Sequence, residues 1–375
     1  MQGLQKGAAS LEEHAHRATG YRGERAAFIR PRIPPNKERH SMTSQDAEKI
    51  SKRSLLAGSL AGGLASLSLG ACGGGGPGVA SSLNGRGEQL PTIVLIHGSL
   101  HGSFCWSRVT PFLVEAGFKV LAIDLPGCGL NGRFPTSSYA RPFDADAYST
   151  ERSPLASLTL ADYARYTGDI VDRLYANTQE PLVLVGHSLG GITLNAVGES
   201  HASKIRNLIY VSAVIPASGE TVGDCFATKS AFAASYVAQG KNGSIRPMAD
   251  IGAGRFDLNT PDPAVRSAIR SAYCGDVSDE DFLAWANLLV PDDARGPQNG
   301  KTVLTGSNWG SIPRSYIKCM QDKIIPPALA DEIMAALDKL TPGNKTVVET
   351  LDTSHSPFLS KPQELAQLIN RLARR

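Results

Sequence analysis

The chain has 375 residues, 42% of them hydrophobic and 19% charged, which is enough to bury a sizeable core as one large domain or two of ordinary size. Its formal charge is +3, but residues 1–41 alone carry eight Lys/Arg against four Glu, so the basic surplus belongs to that stretch and the rest is close to neutral. A nucleic-acid-binding surface is therefore not expected.

In chain order, residues 1–41 ("RPRIPPNKERH" among them) lack apolar periodicity and read as a disordered or non-native extension, with translation expected to start at Met42. Residues 42–72 follow the order of a secretory signal peptide. Lys49, Lys52 and Arg53 precede an apolar, small-residue run from Leu55 to Leu69, and Ala71 stands before Cys72. The run is short and rich in Gly and Ser for a membrane span. "LGAC" resembles the lipobox of bacterial lipoproteins, which implies lipidation of Cys72 and attachment to a membrane of the cell envelope. Cleavage near Ala71 by an ordinary signal peptidase, giving a secreted protein, is the alternative. Residues 73–89 are a Gly/Ser-rich tether, and a folded domain is expected over 90–375. Beyond Cys72 five cysteines remain, an odd count. Cys225 with Cys274 is the pair to consider for a bridge.

Strands are expected at "PTIVLIHG" (91–98), "KVLAIDLPG" (119–127), "PLVLVGHS" (181–188), "IRNLIYVSA" (205–213), "IPRSYIKCMQD" (312–322) and "KTVVETLDTS" (345–354). Helices are expected at 107–117, at 159–177 with Thr159 as N-cap, from about Gly190, at 327–340 and at 362–375. Continuous apolar strands separated by helices define an α/β fold with a mostly parallel, doubly covered sheet. Residues 216–300 show no clear strands and read as an inserted, largely helical cap. The loop 130–158 is long enough to reach a site at the strands' carboxyl ends, with Tyr139, Phe143 and Tyr148 as candidate substrate contacts. Phe226, Phe232, Tyr236, Phe282, Trp285 and Leu288 of the cap are candidates either for an apolar pocket or for ordinary packing.

"LVLVGHSLGG" puts Gly186-His187-Ser188-Leu189-Gly190 between a buried strand and a helix, the setting of a G-x-S-x-G nucleophile elbow. A serine needs a base to take its proton. His187 points away from its neighbour, His201 lies about 20 Å along the following helix, and His97 and His101 precede the nucleophile. His355, in the loop after the final strand, is therefore the expected base. Asp322, at the end of the preceding strand, is the expected carboxylate partner, with Asp352 more suited to capping the loop. The backbone N–H groups of Leu189 and Ser99 are the expected oxyanion donors. His97 is assigned no chemistry.

The motifs "VLIHGSLHGSFCW", "VLAIDLPGCG", "LVLVGHSLGG", "RSYIKCMQDKIIP" and "SHSPFLSKPQEL" resemble one branch of the α/β-hydrolase superfamily. That branch holds the plant methylesterases and hydroxynitrile lyases with their bacterial esterase relatives. The resemblance covers roughly 90–375 and is weak through the cap. It implies the α/β-hydrolase fold and hydrolysis of a small-molecule carboxylic ester by Ser188, His355 and Asp322, with no metal or organic cofactor. In the lyase branch a Lys follows the catalytic His and a Thr stands where this chain has Gly98; here Ser356 and Gly98 depart from both. Ser356 also departs from the apolar residue more frequent in the esterases. Lactone hydrolysis, C–C or C–CN cleavage on the same triad, and a low-turnover binding protein remain as alternatives.

Overall fold

The computed structural model describes residues 90–245, 250–258 and 260–375. The expected extension, signal peptide, lipobox Cys72 and tether lie outside the described residues. No helix among the described residues is long and apolar enough to cross a membrane.

Six strands form one sheet: β1 (Ile93–Ile96), β2 (Val120–Ile123), β3 (Leu182–His187), β4 (Ile205–Val211), β7 (Arg314–Cys319) and β8 (Val347–Leu351). Their order is β2-β1-β3-β4-β7-β8, and every neighbouring pair is parallel. Strand alternation sends side chains to opposite faces. Val94, Ile96, Leu182, Leu184, Leu208 and Tyr210 therefore join one core, covered by the helices Leu160–Thr178, Gly190–Ser200 and Pro327–Leu340. Ile93, Leu95, Val183, Val185, Ile209 and Val211 join the other, covered by Thr110–Glu115 and Pro362–Ala373. Central strands with both faces covered have no polar side to present, which explains their unbroken apolar runs.

The helix Leu160–Thr178 starts where a capping box demands. Thr159 accepts from the Asp162 N–H at 3.3 Å, and the Asp162 carboxylate accepts from the Thr159 N–H at 2.9 Å.

The excursion between β4 and β7 contains the helices Val222–Ala227, Pro263–Tyr273, Asp279–Ala286 and Arg295–Asn299, as expected of a helical cap. It also contains an antiparallel pair that the sequence reading missed, β5 (Ala253–Arg255) and β6 (Asp292–Ala294). Each strand is only three residues long and carries buried charge, so neither periodicity nor apolarity marks it. Arg255 and Asp292 are both fully buried. The guanidinium grips the carboxylate at 2.7 and 2.8 Å, and its remaining nitrogen donates to the Tyr148 carbonyl. This fork ties the cap to the long loop over 130–158, whose short helix Ala145–Thr150 holds Tyr148.

The considered Cys225–Cys274 bridge is absent. Both are free, buried thiols packed into different cores, as are Cys105, Cys128 and Cys319 free and buried. Burial raises the Cys225 thiol to about 12, so it is an inert apolar filler.

Candidate active site

Parallel strands deliver all their carboxyl ends to one edge, and four loops at that edge converge. Ser188 follows β3 on a turn with φ of 51°, a left-handed conformation that a serine adopts only when its surroundings enforce it. Here the enforcement is visible. The Ser188 N–H donates to the Val211 carbonyl at 3.1 Å, and its carbonyl accepts from Gly191 at 3.1 Å and Val214 at 3.0 Å. Gly190 lets the helix start directly against the loop after β1, because a Cβ there would meet the His97 carbonyl oxygen at 2.7 Å.

His355 lies after β8, buried, with Nε2 2.9 Å from Ser188 Oγ and Nδ1 2.7 Å from Asp322 Oδ2. Asp322 lies after β7 and is buried too. Its other oxygen accepts from the N–H groups of Ile324 at 2.7 Å and Ile325 at 2.9 Å, and Oδ2 also accepts from the Ser212 hydroxyl. Three donors besides the imidazole thus fix the position of this carboxylate. The structure thus brings the three predicted side chains into one hydrogen-bonded line. Asp352 stands apart, taking the Gln321 side-chain amide at 2.8 Å on the surface instead of capping the loop.

Ser99 and Leu189 meet across the site, lining one narrow crevice with Gly98 and Gly190. Neither of their N–H groups donates to an acceptor among the described residues.

The other histidines serve as struts. His97 accepts from the Leu125 N–H through Nε2 at 3.0 Å and donates from Nδ1 to the Gly98 carbonyl at 2.8 Å, joining the loops after β1 and β2. His101 accepts from Trp285 Nε1 at 3.0 Å and donates to the Ser99 carbonyl at 2.6 Å. Burial lowers these imidazoles to about 4 and about 3, so both are neutral near pH 7. His201 ends the helix Gly190–Ser200, beside Asp172 at 3.4 Å.

Sequence reasoning missed the cap's hold on both reacting loops. Asp276 accepts from Thr353 Oγ1 at 2.6 Å, from the Ser354 N–H at 3.2 Å and from the Ser354 hydroxyl, immediately before His355. Val290 donates its N–H to the Leu100 carbonyl at 2.9 Å, and Asp293 accepts the Ser99 hydroxyl. These contacts span from about 77 to 194 positions in sequence, beyond the reach of any local signal. Only an isolated "DD" in a cap without strand pattern hinted at Asp293.

A cavity of about 530 Å³ lies between the long loop and the cap. It is lined by Tyr139, Phe143 and Tyr148, the three expected contacts, with Phe256, Leu258 and Val290. It does not border the triad. Of the cap aromatics, Phe226 stacks on Phe232 at 4.6 Å, and Phe282 and Trp285 are buried in the core, so these are packing residues.

The Alpha/beta hydrolase family profile matches residues 93–368, and the chain belongs to that family. A protein of Arabidopsis thaliana provisionally named methylesterase 11, chloroplastic, is 29% identical over 284 residues. That match covers 75% of this chain, which spans 63% of the relative's length. A pyrethroid hydrolase of Sphingobium wenxiniae is 28% identical over 291 residues, covering 74% of this chain and 85% of the relative. The crystal structure of a pyrethroid hydrolase from Sphingobium faniae JZ-2 is similar with a TM-score of 0.58 and 26% identity, covering 76% of this chain and 97% of that one.

Proposed function

We propose that this protein is a serine hydrolase of small-molecule carboxylic esters that works through an acyl-enzyme. The observation that carries this reading is the line Asp322–His355–Ser188, with its two contacts of 2.7 and 2.9 Å, facing two uncommitted N–H groups. Relatives named as methylesterase and pyrethroid hydrolase support ester chemistry.

In this mechanism Ser188 Oγ attacks the carbonyl carbon while His355 Nε2 takes its proton. The N–H groups of Ser99 and Leu189 receive the oxyanion. Asp322 keeps the His355 proton on Nδ1, so Nε2 is free to accept, and its charge stabilises the imidazolium that forms. His355 then protonates the departing alkoxide, and the acyl group stays on Ser188. A water activated by the same imidazole attacks this ester and releases the acid.

Gly98 weighs against cyanohydrin cleavage. A Cβ at that position would meet Ser188 Cβ at 2.7 Å, leaving no room for the Thr of the lyases. As for location, the signal-like run ending at Cys72 supports export and lipid attachment to the cell envelope. Fractionation of cells expressing the full chain, beside Cys72→Ser, tests this. Membrane association lost in the variant is expected, and an unchanged cytosolic pool would refute it.

The test of the chemistry is labelling by a fluorophosphonate together with turnover of a p-nitrophenyl ester. Stoichiometric modification of Ser188 with many turnovers per protein is expected. Labelling without turnover would identify a binding protein, and no labelling of folded protein would reject the nucleophile.

A further inference from the structure

The acid next to the oxyanion donors is the feature that ordinary ester hydrolysis does not use. Asp293, on β6 of the cap, is 7% exposed and lines the crevice formed by Ser99, Leu189, Gly98 and Gly190, together with Cys128 and Tyr163. Its Oδ2 accepts the Ser99 hydroxyl and the Gln298 amide, the latter at 2.9 Å, while Oδ1 has no partner among the described residues. A carboxylate here opposes the negative charge that the neighbouring N–H groups are placed to receive. The cation of this strand pair does not offset it, because Arg255 is committed to Asp292 through both contacts of their fork.

The crevice also has a side. His355 must reach the leaving alcohol to protonate it, yet neither His355 nor its loop lines the crevice. Ser188 lies outside the crevice as well, while both N–H donors line it, so the space beside Asp293 adjoins the place where a carbonyl oxygen would sit, and it has room for only a small polar group.

On the hydrolase reading above, we propose that Asp293 selects the acyl group, accepting a hydrogen bond from a hydroxyl or ammonium on the carbon next to the ester carbonyl. The preferred substrates are α-hydroxy and α-amino esters. Their donor satisfies Oδ1 and offsets the carboxylate's charge, so the oxyanion forms without that repulsion. Burial raises the carboxyl to about 6, so it is ionised and an acceptor at neutral pH.

Three esters of one skeleton test this with the full chain: ethyl propionate, ethyl lactate and alanine ethyl ester. Hydrolysis is followed by pH-stat at neutral pH, and each kcat/KM is divided by that ester's own hydroxide-catalysed rate. A preference of at least about tenfold for the two donor-bearing esters is expected. Asp293→Asn should invert it, slowing those two about tenfold and speeding ethyl propionate several-fold, since the charge is gone and the amide now presents a donor. Equal normalised rates on all three by the wild type would overturn the proposal, and that comparison needs no variant to fold. An equal loss on all three in Asp293→Asn would also overturn it, reducing Asp293 to a prop for Ser99. Turnover of ethyl propionate without preference sinks this inference alone. Absence of turnover on every ester, with no fluorophosphonate labelling, removes the hydrolase reading and the inference with it.

Discussion

His187 donates from Nε2 to the backbone carbonyl of His355, 2.8 Å away, and their rings lie 4.8 Å apart. The residue beside Ser188 thus fixes the loop that carries His355. Burial lowers His187 well below the ordinary imidazole range, so it stays neutral and keeps this donor. Replacing it with Phe should lower kcat by about tenfold or more with little change in KM, because the alignment of His355 is lost and not the substrate pocket. Steady-state kinetics on a p-nitrophenyl ester check this; a change confined to KM would contradict it.

Asp322→Asn should be among the most damaging conservative changes. The Ile324 and Ile325 N–H groups and the Ser212 hydroxyl are arranged for an anion, and the His355 Nδ1 proton needs an acceptor. A fall in kcat of about 10⁴ is expected from the wrong tautomer. The far-ultraviolet circular dichroism spectrum should be unchanged.

The Arg255–Asp292 fork is the charged anchor of the cap. Arg255→Met leaves Asp292 buried without its partner, and such truncations destabilise by about 3–5 kcal/mol. Chemical denaturation should show this loss, and proteolysis should cut first within the cap. A loss below about 1 kcal/mol would mean that the strand pair is held by apolar packing alone.

Asp293 gives stability a defined pH dependence. Its folded-state value of about 6 stands above its ordinary 3.8, because burial disfavours the charge. The folded protein therefore binds this proton more tightly than the unfolded chain. That contribution is complete below about pH 4 and is lost as pH rises through 6. Relative to Asp293→Asn, the wild type should lose on the order of 2 kcal/mol between those limits, read from denaturant midpoints at each pH. Parallel curves for the two proteins would refute it.

Gly98→Thr, the lyase-like change, should not confer cyanohydrin cleavage. The added Cβ meets Ser188 Cβ at 2.7 Å, against a backbone fixed by the hydrogen bonds around the elbow. Overpacking of this kind destabilises by about 1–3 kcal/mol. Esterase activity should fall with it.

Much of this was legible because the signals are local. The apolar runs of β1, β3 and β4 announce buried parallel strands, Thr159 with Asp162 announces a helix start, and a G-x-S-x-G between strand and helix announces the tight left-handed turn at Ser188. Asp322 and His355 were reachable because each follows a recognisable strand in the order that this fold needs. The β5–β6 pair was not, since Arg255 and Asp292 are polar residues whose burial depends on finding each other. For the same reason nothing local marked Asp276 or Asp293: their partners, Ser354 and Ser99, are distant in sequence. Cys225 and Cys274 were the pair to consider for a bridge, but they are free and lie buried in separate cores.

The most direct test of the account is steady-state hydrolysis of p-nitrophenyl acetate, butyrate and octanoate by the full chain, beside Ser188→Ala. The account predicts many turnovers by the wild type and a loss of at least about 10⁴ in the variant, with both proteins equally folded. Equal rates in the two, or no turnover by a folded wild type, would contradict it.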